Sequence, residues 1–302
     1  MKIGWIGTGI MGFSMCKHLM DAGNKAIVFN RTQSKAQGLV ELGAELAKTP
    51  AQVASSCDVL FTMVGYPSDV EQVYFGKDGI FEGLEEAKEK GEDAHTARIL
   101  VDMTTTKPSL AVRIYEKAKE IGCESLDAPV SGGDSGARNA TLSIMVGGDA
   151  STLEKAKPLF DAMGKSVLLE GPAGAGQHTK MANQIQIAGT MVGMCEALAY
   201  SKAAGLDLEK MVATIAKGAA GCHSLDNLAP RVIRGDYEPG FIVEHFIKDM
   251  KIALEESRRM GLELKGLGLV ESMYEELRDK GYGKAGTQAL VKVIGDGRND
   301  NV

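Results

Sequence analysis

Along the N-terminal part of the chain, apolar residues fall in short uninterrupted runs. Ile3-Gly4-Trp5-Ile6, Ala26-Ile27-Val28-Phe29, Val59–Val64 and Ile99–Met103 read as strands buried on both faces. Ser125–Val130 and Thr141–Val146 follow in the same manner. Between them lie stretches with helical spacing. Met11, Met15, Leu19 and Ala22 form one stripe of a helix that Gly23 ends as a C-terminal cap. Ser34–Leu42 stops at Gly43, Thr49-Pro50 opens another helix, and the amphipathic Ser109–Ile121 is broken by Gly122. The charged stretch Glu85–Asp93 reads as a solvated helix end and loop. Strands alternating with helices predict an α/β fold with a doubly wound, mainly parallel sheet.

The pattern changes after Gly171–Gly176, where Gly-Pro-Ala-Gly-Ala-Gly punctuates the chain. From Gln177 to Lys202 a single long helix is expected. Its Met181, Ile185, Ile187, Met191, Val192, Met194 and Leu198 make it apolar on nearly all sides, which predicts a buried helix. Helical spacing continues through Leu208–Lys217, Val243–Met260 and Gly268–Asp279, with no convincing strand. The expected division is therefore a sheet domain over 1–173 and an all-helical domain over 174–302. An all-round apolar helix needs more cover than one small domain gives, so a homodimer or homotetramer is expected.

A chain of 302 residues, 44% hydrophobic and 25% charged, has material for two such cores. Its net charge of -6 argues against nucleic acid or an anionic membrane as partner. Cys16, Cys57, Cys123, Cys195 and Cys222 are odd in number and lack C-x-x-C spacing, so they read as buried thiols of a reducing compartment. The first strand begins at Lys2 with no signal peptide before it, and charges interrupt every long apolar run. A soluble cytoplasmic protein is expected, and an organellar matrix is compatible with the same features.

Gly7-Thr8-Gly9-Ile10-Met11-Gly12 follows a strand and opens a helix, the setting that makes this spacing a dinucleotide-binding turn. The first glycine permits the tight turn, the second lets the backbone approach the pyrophosphate, and the third lets helix and strand pack closely. Backbone N–H groups at the helix start meet the diphosphate charge. At the end of the second strand, about 20 residues on, an NAD site would carry an acid. Here the run is Phe29-Asn30-Arg31-Thr32. A guanidinium, a hydroxyl and an amide suit a 2′-phosphate, so NADP is expected over NAD. Arg31 also has the look of an ordinary surface arginine, and the missing acid is what tips the reading.

Asp127-Ala128-Pro129-Val130-Ser131-Gly132-Gly133 ends a strand at the carboxyl edge of the sheet, where open α/β folds bind ligands. Ser131 and the backbone N–H groups after it suit a carboxylate, although alone the segment reads as a turn. Lys180 and Asn183 stand at i and i+3 near the start of the long helix. Burying a lysine there would lower its pKa toward the range useful for proton transfer. Taken alone, a lysine snorkelling from a helix end is the better reading. His18, His95, His178, His223 and His245 show no metal-ligand spacing, and hydride chemistry requires no metal.

Together these segments resemble a known family. Gly7–Gly12, Asp127–Gly133, Gly174–Asn183 and Lys248-Asp249-Met250-Lys251-Ile252-Ala253-Leu254 occur in the order and spacing of the β-hydroxyacid dehydrogenases. That group includes 3-hydroxyisobutyrate dehydrogenase, tartronate semialdehyde reductase and the glyoxylate/succinic semialdehyde reductases. The resemblance covers essentially the whole chain. It implies a Rossmann-type domain, an all-helical C-terminal domain and a long interdomain helix. It also implies hydride transfer between a nicotinamide and a small hydroxy acid or semialdehyde. Lys180 matches the catalytic lysine. Ser131, Gly132 and Gly133 match the substrate-carboxylate loop, and Asn183 the amide that orients the substrate. Lys248 matches a lysine near the nicotinamide, with Asp249 beside it toward the substrate. Met63, Val64 and Thr105 match cofactor contacts, and Asn30-Arg31-Thr32 resembles the NADP-preferring members. Two other readings belong to the same fold: an imine reductase and a cofactor-binding module without turnover, both of which typically lack the lysine. Many members also carry two consecutive asparagines after the lysine, whereas here Asn183 is followed by Gln184.

Overall fold

In a computed structural model the chain is described over residues 1–91 and 97–294. His95 and the end of the charged stretch at Asp93 lie outside the described residues. Two compact units result, Met1–Lys180 and Met181–Val302.

The first unit is an alternating α/β layer. Its strands are β1 (Lys2–Ile6), β2 (Lys25–Phe29), β3 (Glu45–Leu46), β4 (Val59–Thr62), β5 (Ile99–Asp102), β6 (Glu124–Asp127), β7 (Val130–Ser131), β8 (Leu142–Gly148) and β9 (Gly164–Gly171). The helices between them are α1 (Ile10–Asp21), α2 (Gln37–Glu41), α3 (Pro50–Ala54), α4 (Pro67–Phe75), α5 (Ile80–Glu89), α6 (Pro108–Glu120), α7 (Gly133–Arg138) and α8 (Ala150–Asp161). The sheet order is β3-β2-β1-β4-β5-β6-β8-β7, with β9 on β8. From β3 to β6 all pairs are parallel. β8 runs antiparallel to β6 and β7, and parallel to β9.

Alternation along the strands feeds two cores. Ile3, Trp5, Val28, Phe61 and Val101 pack on one face with Met15 and Leu19 of α1. Ile6, Ile27, Leu60 and Leu100 pack on the other with α3, α5 and α6. Strands covered on both sides have no reason to alternate polar residues, which is why they stand out as plain apolar runs.

Several details differ from the sequence pattern. The single strand expected over Ser125–Val130 is two, because the chain turns at Ala128-Pro129, where proline has no N–H to offer a ladder. β4 ends at Thr62, and Val64 N–H leaves the ladder to bond Thr104 Oγ1 at 3.0 Å. β3, β9, α4, α7 and α8 are additional elements, as is a short later helix, α11 (Ala229–Ile233). The leucines of β9, Leu168 and Leu169, are exposed, and α7 is short and polar.

α9 (Ala175–Ala203) is one helix of 29 residues that runs through the division between the units. The compact units divide inside α9, a few residues past the Gly171–Gly176 punctuation, since the first turn of α9 is bonded to the sheet. Within this chain the helix has one buried stripe, through Met181, Gln184, Ala188, Met191, Cys195 and Leu198, not burial all round. Ala182, Gln186, Gly189, Gly193 and Tyr200 face outward, while Ile185, Ile187 and Val192 are half-buried.

The second unit is helical: the rest of α9, α10 (Leu208–Ile215), α11 (Ala229–Ile233), α12 (Val243–Arg259) and α13 (Lys265–Leu277). Phe246, Met250, Tyr274, Leu277 and Leu290 centre its core with the buried stripe of α9. Among the described residues, no helix is long and apolar enough to cross a membrane.

Candidate active site

The glycine turn leaves β1 and enters α1, and each glycine answers a different contact. Gly7 has φ +95°, and a side chain there would strike Met63 O. At Gly12 a Cβ would strike Gly7 O, which also accepts a hydrogen bond from Trp5 Nε1 at 3.0 Å. A Cβ on Gly9 meets nothing within 4 Å, so its absence leaves open space above the start of α1. Beside it, Thr8 Oγ1 is buried without a hydrogen-bond partner among the described residues, and Ile10 is exposed. Open space over N–H groups at a helix start, bordered by an unpartnered hydroxyl, fits the pyrophosphate of a dinucleotide.

Asn30 is tied to this turn. Its Oδ1 accepts Thr8 N–H at 3.0 Å and its Nδ2 donates to Thr32 O at 2.9 Å. Its amide therefore shapes the loop that carries Arg31 and Thr32. Arg31 Nη1 pairs with Asp69 Oδ1 at 2.9 Å, a partner 38 residues away that the local pattern did not announce. Met63 and Val64 lie in the loop after β4, and Thr105 in the loop after β5, both at the carboxyl edge of the sheet next to the glycine turn.

That edge is organised by two buried aspartates side by side in the β5–β6 register, Asp102 and Asp127. Asp102 Oδ1 accepts Thr62 Oγ1–H at 2.7 Å and Thr104 N–H at 3.1 Å. Burial pushes its pKa up to about 6. Asp127 accepts Gly174 N–H at 2.7 Å and Gln177 N–H at 2.8 Å, capping α9 from the sheet. Burial raises its pKa too, while those two N–H groups pull it back. Gln177, fully buried, completes the junction: its Nε2 donates to Thr104 O at 2.8 Å and its Oε1 accepts Thr106 N–H at 3.0 Å. A Cβ on Gly176 would strike Met145 O, and one on Gly147 would strike the Asp127 carboxylate. The first turn of α9 is thereby fixed against the loop that holds Thr105, and Lys180, buried, stands three residues beyond Gln177.

Ser131 ends β7, and Gly132 (φ +130°) and Gly133 (φ +59°) turn the chain into α7. His18 Nε2 lies 3.0 Å from both Ala137 O and Arg138 O, so it carries the proton and fastens α7 to α1.

In the second unit, Asn183 Nδ2 donates to Gln184 Oε1 at 2.6 Å, and Gln184 Nε2 donates to Asp249 Oδ2 at 2.7 Å. Asp249 Oδ1 forms an ion pair with Lys248 Nζ at 3.0 Å. The three residues expected from the resemblance are thus brought together through Gln184, the residue at which the chain departs from the double asparagine. His245 lies one turn before Lys248, and burial followed by the Lys248 charge holds its pKa below the usual value. His178 is exposed. Asp69, Asp102 and Gln177 brace the loops at the carboxyl edge, and local spacing did not single them out.

Comparison with known proteins agrees with this geometry. Residues 2–171 match the model of the NAD binding domain of 6-phosphogluconate dehydrogenase. Residues 174–294 match that described as NAD-binding of NADP-dependent 3-hydroxyisobutyrate dehydrogenase. The uncharacterized oxidoreductase YkwC of Bacillus subtilis is 50% identical, over 96% of this chain and 98% of its own. The Arabidopsis thaliana protein named "Probable 3-hydroxyisobutyrate dehydrogenase-like 1, mitochondrial" is also 50% identical, over 97% of this chain and 85% of its own. Among solved structures, 3-hydroxyisobutyrate dehydrogenase of Mycobacterium tuberculosis with L-serine superposes with a TM-score of 0.86 at 25% identity, covering 97% of this chain and 99% of that one. With a dinucleotide turn, a Rossmann-type sheet and a helical second unit in place, the chain belongs to the β-hydroxyacid dehydrogenase family of NAD(P)-dependent oxidoreductases.

Proposed function

We propose that this enzyme uses NADP(H) to interconvert a small hydroxy acid and the corresponding semialdehyde or 2-oxo acid, with Lys180 as its acid–base group. Candidate substrates are glyoxylate, succinic semialdehyde, 3-hydroxyisobutyrate and tartronate semialdehyde. The carrying observation is a buried lysine on the helix whose first turn is bonded, through Gln177, to the Thr104–Thr106 loop. A buried lysine beside the carboxyl edge of a dinucleotide-binding sheet is a candidate proton-transfer group. The names of the relatives support hydroxy-acid chemistry. The NADP reading rests on Arg31 and on the lack of an acid in Asn30–Thr32.

The nicotinamide, when bound, supplies or accepts the hydride. In the reducing direction Lys180 Nζ, as ammonium, gives a proton to the substrate's carbonyl oxygen as the carbonyl carbon gains its hydrogen. In the oxidising direction the neutral amine takes the hydroxyl proton. The ammonium charge favours the developing alkoxide. Asn183 and the Ser131-Gly132-Gly133 backbone hold the carboxylate-bearing substrate in line, with Lys248 and Asp249 setting the Asn183 amide through Gln184.

The test is a steady-state panel of these semialdehydes and hydroxy acids with NADPH and with NADH. Lys180→Ala is expected to lower kcat by about a thousandfold, with NADPH binding within about twofold of the parent. Near-normal turnover in that variant would overturn the assignment.

A further inference from the structure

Arg31 is the cation on which the choice of cofactor turns, and it has a carboxylate on it. Asp69 Oδ1 lies 2.9 Å from Arg31 Nη1. The two are unequal partners. The Arg31 side chain is 84% exposed, whereas that of Asp69 is 22% exposed and sits in the first turn of α4. There the backbone fixes its place, Asp69 N–H bonding Tyr66 O at 3.0 Å, and the helix start favours its negative charge. β2 and β4 flank β1 in the sheet. The ion pair, formed from the segments after β2 and β4, therefore reaches across the end of β1, where the glycine turn begins.

NAD-binding sites of this fold place a carboxylate at the end of β2, where it accepts a hydrogen bond from the ribose 2′-hydroxyl. This chain has no acid in Asn30–Thr32, yet Asp69 brings one to the same guanidinium from the far side of β1. A 2′-phosphate and the Asp69 carboxylate would compete for one cation, and they repel each other. A ribose hydroxyl would face no such repulsion and could donate to the carboxylate.

We propose that Asp69 is a specificity-determining residue for the cofactor, narrowing the preference for NADP(H) that Arg31 creates and supporting NAD(H) as a second cofactor. This rests on the reading of Arg31 as the 2′-phosphate partner. An exposed ion pair opens readily, so Asp69 tunes the choice and does not block the site.

The experiment measures dissociation constants of NADPH, NADH and the fragment 2′,5′-ADP for the parent, Asp69→Asn and Arg31→Ala. Asp69→Asn keeps the shape and removes the charge. It is expected to tighten NADPH and 2′,5′-ADP about fivefold and weaken NADH about twofold, so that the NADPH/NADH ratio moves about tenfold. Asp69→Ser, also at home in a first helical turn, is expected to act in the same direction and guards against a folding defect of one variant. An unchanged ratio, or equal loss of both cofactors, overturns the proposal while the NADP reading stands, provided Arg31→Ala weakens NADPH. If Arg31→Ala leaves NADPH binding intact, the NADP reading falls and this proposal with it.

Discussion

The glycines of the first turn separate two demands that sequence spacing alone runs together. Gly12 is glycine because the protein itself occupies the place of a side chain; Gly9 is glycine although nothing in the protein does. Gly12→Ala is therefore expected to cost stability, on the order of 1–3 kcal/mol, by forcing α1 off β1. Gly9→Ala is expected to leave the melting temperature near the parent value and to weaken NADPH at least about tenfold, because its methyl enters the pyrophosphate's space. Thermal melts with and without NADPH separate the two, and a Gly9→Ala protein that binds NADPH normally would contradict the placement. At this scale the sequence was legible wherever the constraint is local. The glycine turn was read from its own spacing, whereas Lys180, read alone, looked like a snorkelling lysine and took its role from the resemblance. Asp69 was not legible because its meaning depends on which strand lies beside which; Gln184 stood out as a departure, but its reach to Asp249, from one helix to another, did not.

Among elements, β4, β5 and α4 meet at Asp102. Its Oδ1 is bonded to Thr62 and Thr104, Thr62 Oγ1 lies 3.3 Å from buried Tyr74 Oη, and Asp102 Oδ2 has no hydrogen-bond partner among the described residues. With its pKa raised to about 6, the folded chain holds a proton there that the unfolded chain, at about 3.9, has already lost. Stability is thus favoured below about pH 4, falls as pH rises toward 6, and stays lower above it. The loss is up to about 3 kcal/mol at this one residue. Asp102→Asn keeps an acceptor for Thr62 and Thr104 and removes the titration. Urea unfolding at pH 4.5, 5.5 and 7 should show the variant gaining on the parent as pH rises; a constant difference would remove Asp102 as the cause. Periodicity found α1, α6, α9 and α12 because many residues vote for each, but it passed over α4 and α8. It did not find α7, whose Gly133–Arg138 has little to bury, or β9, whose Leu168 and Leu169 point outward. The single buried stripe of α9 was hidden by apolar residues on its flanks.

For the molecule as a whole, the five cysteines report how much of the interior is closed. Cys16, Cys57 and Cys195 are buried, and burial pushes the Cys57 and Cys195 thiols up to about 12. Cys123 and Cys222 are half-buried, and Cys123 Sγ donates to Ala97 O at 3.4 Å. A thiol-exchange reagent at about pH 8 should therefore modify at most Cys123 and Cys222 in the native protein. All five should react once urea unfolds it. Rapid native modification of Cys16, Cys57 or Cys195, mapped by mass spectrometry, would show that the cores open more freely than their packing implies.

Because Asp127 and Gln177 hold the first turn of α9, Lys180 takes its bearing from the sheet. A helix turns about 100° and climbs about 1.5 Å at each residue. Losing one residue between Gln177 and Lys180 would leave a helix as regular as before, with Lys180 swung more than a quarter of a circle away. The shaft would be sound and its timing wrong. Mutational drift in this stretch can thus exchange side chains along the outward face, but it cannot change their number.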